Sequence, residues 1–431
     1  MRTAIAVLSA CCMVLALALP GSAASAPPPG YFVDEPKLPF DELPGTKTTR
    51  YWGIHNGAGY RVEVPANWNG DLVLYAHGYR GTGLELTVSN PSIRQYLVTH
   101  GYAWAASSYS KNGYDVKQGV LDTHALGRFF TNLAGPPRNK YLMGHSMGGH
   151  ITGVAIEQYP SEYVGALPMC GVMGDTELFD FFLDFQLVAQ ALAGHQAQFP
   201  SPPDYEASVV PAVKLALGPA YPNVLNAQGE KLRAVTQQRS GGTRPFFNTA
   251  FAFWGDFLFT LGSGDGSLDV APGNVTSNIG TVYQFDSDPV VSPDEQALND
   301  EVLRVAASPQ GLQQAGLANI PPIEANFRIP VVSLHTIGDL FVPLSMEQIY
   351  ARRASARGTA TLLVSRAIRD VNHCGFTTAE QERAFADLVR WVEDGVKPPG
   401  DDLLNPQFVA SATFGCAFTL TTRPYAPCPP P

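Results

Sequence analysis

One serine in the chain sits in a setting that can make it a nucleophile. In Gly144-His145-Ser146-Met147-Gly148-Gly149, glycines stand two residues before and two residues after Ser146. A turn tight enough to lift a serine Oγ clear of the end of a strand leaves no room for side chains at those two positions. The helix that follows such a turn directs its amino end at the oxygen on which charge develops during acyl transfer. The pattern alone is weak, because with 41 glycines in the chain a chance match is about a one-in-four event. Context strengthens it: the apolar run Tyr141-Leu142-Met143 precedes the serine, a helix-forming stretch follows, and the chain holds no second match.

A serine hydroxyl attacks a carbonyl only when a base removes its proton, and the base needs an acceptor that fixes its tautomer. His373, in Val371-Asn372-His373-Cys374-Gly375, lies between the last strand-like and the last helix-like stretch. Asp339 follows the buried-strand run Ile329 to His335. Asp175 is the alternative acid, and Asp370 is too close to His373 in sequence to face it. The oxyanion needs two backbone N–H donors. Met147, just after the nucleophile, is one candidate. Tyr79, in the loop His77-Gly78-Tyr79-Arg80-Gly81 after the run Asp71 to Ala76, is the other.

These residues need a scaffold that brings them to one edge. Apolar runs at Asp71–Ala76, Tyr102–Ser107, Tyr141–Met143 and Tyr163–Met169 read as buried strands. They alternate with helical stretches at Ile93–His100, Val116–Leu133 and Gly149–Tyr159. The rhythm stops near Gly174 and resumes at Ile329, with a helix expected over Ser345–Arg357, a strand over Ala360–Val364 and a last helix over Ala379–Glu393. Strands alternating with helices predict an α/β fold, a mostly parallel central sheet with helices on both faces. The expected organisation is a leader over 1–26, a core in two parts over 46–174 and 326–397, a cap insertion over 175–325, and a proline-rich tail over 398–431. Ligands of open α/β sheets bind at the carboxyl edge, which is where the insertion would sit.

With the Gly144–Gly149 motif and the order Ser146, Asp339, His373, the chain resembles the α/β-hydrolase superfamily, nearest to secreted esterases and lipases. The resemblance covers about half of the chain, 50–170 and 326–395, and implies a Ser-His-Asp triad acting on carboxylic esters. His373-Cys374 also resembles tannases and feruloyl esterases, in which the cysteine beside the histidine is bonded to one beside the serine. Here His145 stands beside Ser146, so Cys170 would have to supply the missing sulfur. The pairs expected on that basis are Cys170–Cys374 and Cys416–Cys428, the latter close together in a tail with little core of its own. Free thiols at Cys170 and Cys374 are the alternative. The aromatic run around Phe253, Trp254 and Phe257 is expected either to wall the acyl pocket or to form the insertion's own core.

Composition narrows the rest. At 45% hydrophobic residues the chain has material for a sizeable core, and a net charge of −10 without a basic stripe argues against nucleic acid as a partner. Arg2 followed by the apolar stretch Ala4–Leu19 and small residues reads as an export signal, which implies a secreted or periplasmic protein with no membrane span after its removal. Two of the 6 cysteines fall within that leader. The even number left suggests two disulfides, and with no C-x-x-C a metal site has no support. No organic cofactor is expected. The substrate would be a small or polymeric ester. An amidase or exopeptidase would use the same triad, and a non-catalytic binding module of this fold would usually have lost one of its members.

Overall fold

In the computed structural model, which describes residues 30–430, the core is one sheet of eight strands. They are β1 (Thr48–His55), β2 (Ala58–Pro65), β3 (Asp71–Ala76), β4 (Ala103–Ser107), β5 (Asn139–His145), β6 (Gly165–Met169), β7 (Val331–Thr336) and β8 (Leu363–Ile368). Across the sheet the order is β8-β7-β6-β5-β3-β4-β2-β1. β2 runs antiparallel to both its neighbours, and every other pair is parallel. This is the α/β-hydrolase fold. The expected leader over 1–26 lies outside the described residues.

The helices are α1 (Arg94–Thr99), α2 (Val116–Ala134), α3 (Met147–Gln158), α4 (Glu177–Leu192), α5 (Val210–Leu217), α6 (Ala227–Arg239), α7 (Phe247–Leu258), α8 (Pro293–Glu301), α9 (Pro309–Leu312), α10 (Ser345–Arg357), α11 (Thr378–Asp394) and α12 (Pro406–Val409). Strand periodicity sorts side chains to the two faces. Leu72, Leu74 and Ala76 of β3 join Val120, Phe130 and Ile151 in one buried cluster. Val73 and Tyr75 join Leu97, Phe385 and Leu388 in the other. Helices α2 and α3 therefore cover one face, and α1 and α11 the other. The ends follow from caps: Asp115 accepts from Gln118 N to start α2, and Thr377 with Glu380 forms a capping box for α11.

Helices α4 to α9 all lie between β6 and β7, and among the described residues this stretch adds no strand to the sheet. The tail after α11 packs on the end of β8. There the Arg369 guanidinium donates to the carbonyls of Ala412, Phe414, Ala426 and Pro427. No helix among the described residues is long and apolar enough to cross a membrane.

Two elements differ from the sequence reading. Strand β1 was not legible by alternation, although Asn56-Gly57, both at positive φ, is the two-residue turn that joins it to β2. Ala360–Leu362 is a 3-10 turn, and the strand runs from Leu363 to Ile368 instead. It continues past Arg366 because that guanidinium is buried with three partners: Asp387 at 2.6 Å, the Pro399 carbonyl at 3.1 Å and the Phe418 ring at 4.5 Å.

Candidate active site

The turn from β5 into α3 places Ser146 at φ 58° and ψ −122°, a conformation that costs a non-glycine residue about 1–3 kcal/mol. Its glycines are there for contact. A Cβ on Gly144 would lie 2.1 Å from Gly148 O, and one on Gly148 would lie 2.1 Å from Ala76 O. Because alanine keeps the Cβ that makes this backbone costly, Ser146→Gly should be more stable than Ser146→Ala by about 1 kcal/mol. Urea unfolding of the two variants measures this, and equal midpoints would mean that the turn holds no such strain.

His373 and Asp339 come together after β8 and β7. His373 Nδ1 lies 2.6 Å from Asp339 Oδ2, and the carboxylate is fully buried. The other oxygen, Oδ1, accepts from Phe341 N at 2.8 Å and Val342 N at 3.0 Å, so the acid is fixed by its own loop. That loop is braced by His335, whose Nε2 meets Val342 O at 2.7 Å. The histidine loop is held from both sides. Trp254 Nε1 donates to Val371 O at 2.7 Å, and Thr336 Oγ1 donates to Asn372 O at 2.9 Å. The sulfurs of Cys170 and Cys374 are in bonding contact with Cα atoms 5.2 Å apart, and those of Cys416 and Cys428 with Cα atoms 5.8 Å apart. His373 Nε2 is buried without a hydrogen-bond partner in the protein, so Ser146 Oγ is not bonded to it in this state. Contacts of this kind commonly tighten only when substrate binds.

The competing residues are committed elsewhere. Asp175 pairs with Arg353 at 2.5 Å and accepts from Ile323 N. Asp370 pairs with Arg423 at 2.6 Å. His145 Nε2 donates to Gln381 Oε1 at 3.1 Å. Burial, with a smaller contribution from the nearby His373, pushes its pKa down to about 4, so it stays neutral beside Ser146. Arg80 is used up by its own loop, on Thr87 and Ser89.

Met147 opens α3, where the first backbone N–H groups have no intrahelical acceptor. Tyr79 stands in the loop after β3, and Gly78 in that loop would place a Cβ 3.1 Å from Ser146 Cβ. Ser146 and Tyr79 both line a cavity of about 380 Å³. Its walls include Tyr114 from the loop before α2, Phe179 and Phe182 from α4, and Phe341 two residues after Asp339, among aliphatic and hydroxyl residues. Phe253, Trp254 and Phe257 are not in this lining, which corrects the pocket-wall alternative for them. They lie on α7 one layer out, where Trp254 and Phe257 pack on Phe341 at 6.3 and 5.3 Å. Phe253 is half exposed. The signal missed was the run Phe179, Phe181, Phe182, Phe185, which reads equally well as helix core; all four are buried in the core, and Phe179 and Phe182 also line the cavity. The sulfur atoms of Cys170 and Cys374 lie within 4.8 Å of a His373 nitrogen, but sulfurs bonded to each other are not thiolate ligands.

No family model matches the chain. An o-phthalyl amidase of Xanthobacter agilis is 33% identical over 86 residues, which are 20% of this chain and 19% of that protein. Among solved structures, feruloyl esterase B from Aspergillus oryzae superposes with a TM-score of 0.48 at 13% identity, covering 87% of this chain and 86% of that one. An esterase from Pyrococcus furiosus superposes at 0.40 and 11% identity, covering 84% and 98%. The acylaminoacyl peptidase of Pyrococcus horikoshii superposes at 0.40 and 10%, covering 85% of this chain and 44% of that one.

Proposed function

We propose that the protein is an exported serine hydrolase that cleaves carboxylic esters through an acyl-enzyme intermediate. The observation that carries this reading is the contact of His373 Nδ1 with the buried Asp339 carboxylate at 2.6 Å, on a fold whose β5–α3 turn presents Ser146. The Asp339 contact keeps the proton on Nδ1 and leaves Nε2 as the base. Ser146 Oγ attacks the carbonyl carbon as its proton passes to His373 Nε2. The oxyanion lodges on the N–H groups of Tyr79 and Met147. Collapse expels the alcohol, which takes the proton from His373. Water then repeats the sequence on the acyl-enzyme and releases the acid.

Amide cleavage is the second reading, favoured by the partial likeness to an amidase. The same groups would serve it, with the imidazolium protonating an amine as it leaves. Export accords with the two disulfides, which persist in oxidising compartments.

A fluorophosphonate probe followed by peptide mapping tests the nucleophile: one adduct is expected, on Ser146. A labelled residue elsewhere, or none, would end the reading. Nitrophenyl esters of graded chain length beside the matching anilides separate ester from amide, and faster turnover of the anilides would move the assignment to an amidase.

A further inference from the structure

The cavity beside Ser146 has an uneven charge. Of the residues that line it, only Asp269 bears a formal charge, and no lysine or arginine joins it. The Asp269 carboxylate makes no ion pair or hydrogen bond among the described residues; its backbone N–H alone is engaged, on Ser267 Oγ at 3.3 Å. Arg80, beside Tyr79 in sequence, is spent on Thr87 and Ser89. Leu268 and Asp269 both hold positive φ, 56° and 58°, an uncommon backbone for two successive non-glycine residues. Hydrogen bonds from Val270 N and Ala271 N to Ser267 O close the turn that carries them. The carboxylate is thus exposed to solvent on a defined turn of the cavity's lining, and, after burial, its charge is what raises the pKa of the Tyr79 phenol.

Tyr79, Tyr114, Phe179, Phe182 and Phe341 bring rings to the wall, among aliphatic and hydroxyl side chains that carry no charge. Aromatic faces attract cations and give nothing to anions. An unpaired carboxylate beside such faces favours alkylammonium groups, which shed water more cheaply than compact ions, and repels carboxylates. The chain's net charge of −10 steers in the same direction.

We propose that Asp269 is a specificity-determining residue and that this cavity holds a substrate group bearing a positive charge, an alkylammonium or quaternary ammonium. The proposal rests on Ser146 being the nucleophile, and it adds the class of substrate that the site selects.

The test compares isosteres on the purified protein. One pair is the nitrophenyl esters of trimethylammoniobutyrate and of its neutral tert-butyl counterpart, with the charge in the acyl part. The other is choline butyrate and dimethylbutyl butyrate, with the charge in the alcohol. At low salt the cationic member of at least one pair should have the higher kcat/KM, by about ten-fold, and the ratio should shrink as salt rises. Asp269→Asn should bring that ratio close to one, and Asp269→Lys should shift preference toward a succinate half-ester. Asparagine tolerates the left-handed backbone, so the turn survives the first substitution. A ratio near one in the native protein, or one that Asp269→Asn leaves intact, overturns the proposal. Failure of a neutral fluorophosphonate to label Ser146 would instead remove the hydrolase reading beneath it.

Discussion

Replacing Ser146 with alanine is expected to lower kcat/KM for the best ester by on the order of 10⁵-fold and to abolish fluorophosphonate labelling, with the fold unchanged. The size follows from what is lost. In the proposed mechanism His373 and Asp339 act only through the oxygen of Ser146, so without it the base has nothing to deprotonate and the covalent route closes. What survives is binding and oxyanion stabilisation by the N–H groups of Tyr79 and Met147, which the substitution leaves in place. Stability should change little, because the side chain stands partly exposed at the end of the sheet and alanine fits the same space. A folded variant that retains more than a few per cent of native turnover would show that another residue is the nucleophile. Circular dichroism and initial rates on the same preparation decide between these outcomes.

The fold was legible where burial is two-sided. Strands such as Asp71–Ala76, covered on both faces, must be apolar beyond their first residue, and their alternation with amphipathic helices leaves few topologies. Edge elements were less visible. β1 has one neighbour and partly exposed residues along its length, so its pattern carries little constraint, and β8 is interrupted by Arg366, whose burial depends on partners 21 and 33 residues further along the chain. The positions of Ser146, His373 and Asp339 at strand ends could be read from local chemistry, because tight turns and loop carboxylates announce themselves in a few residues. The pocket wall could not. Whether Phe182 or Trp254 faces the nucleophile depends on how helices α4 and α7 pack over the sheet, and both sequences are equally aromatic. Nor does any local pattern distinguish Asp269, whose significance comes from lining one cavity with Ser146.

Loss of the Cys170–Cys374 bond should cost both stability and rate. The two residues are 204 apart in sequence, so by chain entropy the bond is worth up to about 5 kcal/mol, against about 3 kcal/mol for a 12-residue closure such as Cys416–Cys428. The rate effect has a separate origin. Cys170 and Cys374 hold φ values of 44° and 56°, which non-glycine residues avoid unless their surroundings impose them. Cys374 directly follows His373, so relaxing its backbone moves the imidazole away from Asp339 and from Ser146. Other ties remain on that loop, from Trp254 to Val371 O, Thr336 to Asn372 O and Arg423 to Gly375 O, but none of these three holds Cys374 itself. A protein with serine at both 170 and 374 should therefore lose about 2–5 kcal/mol in urea unfolding and, at a temperature where it is still folded, about 100-fold in kcat/KM. The matching change at 416 and 428 should cost about 2 kcal/mol less stability. Native activity in the folded 170/374 variant would mean that hydrogen bonds alone position His373. Recovery of Cys374 as an alkylatable thiol from the oxidised native protein would mean that the bond is not made.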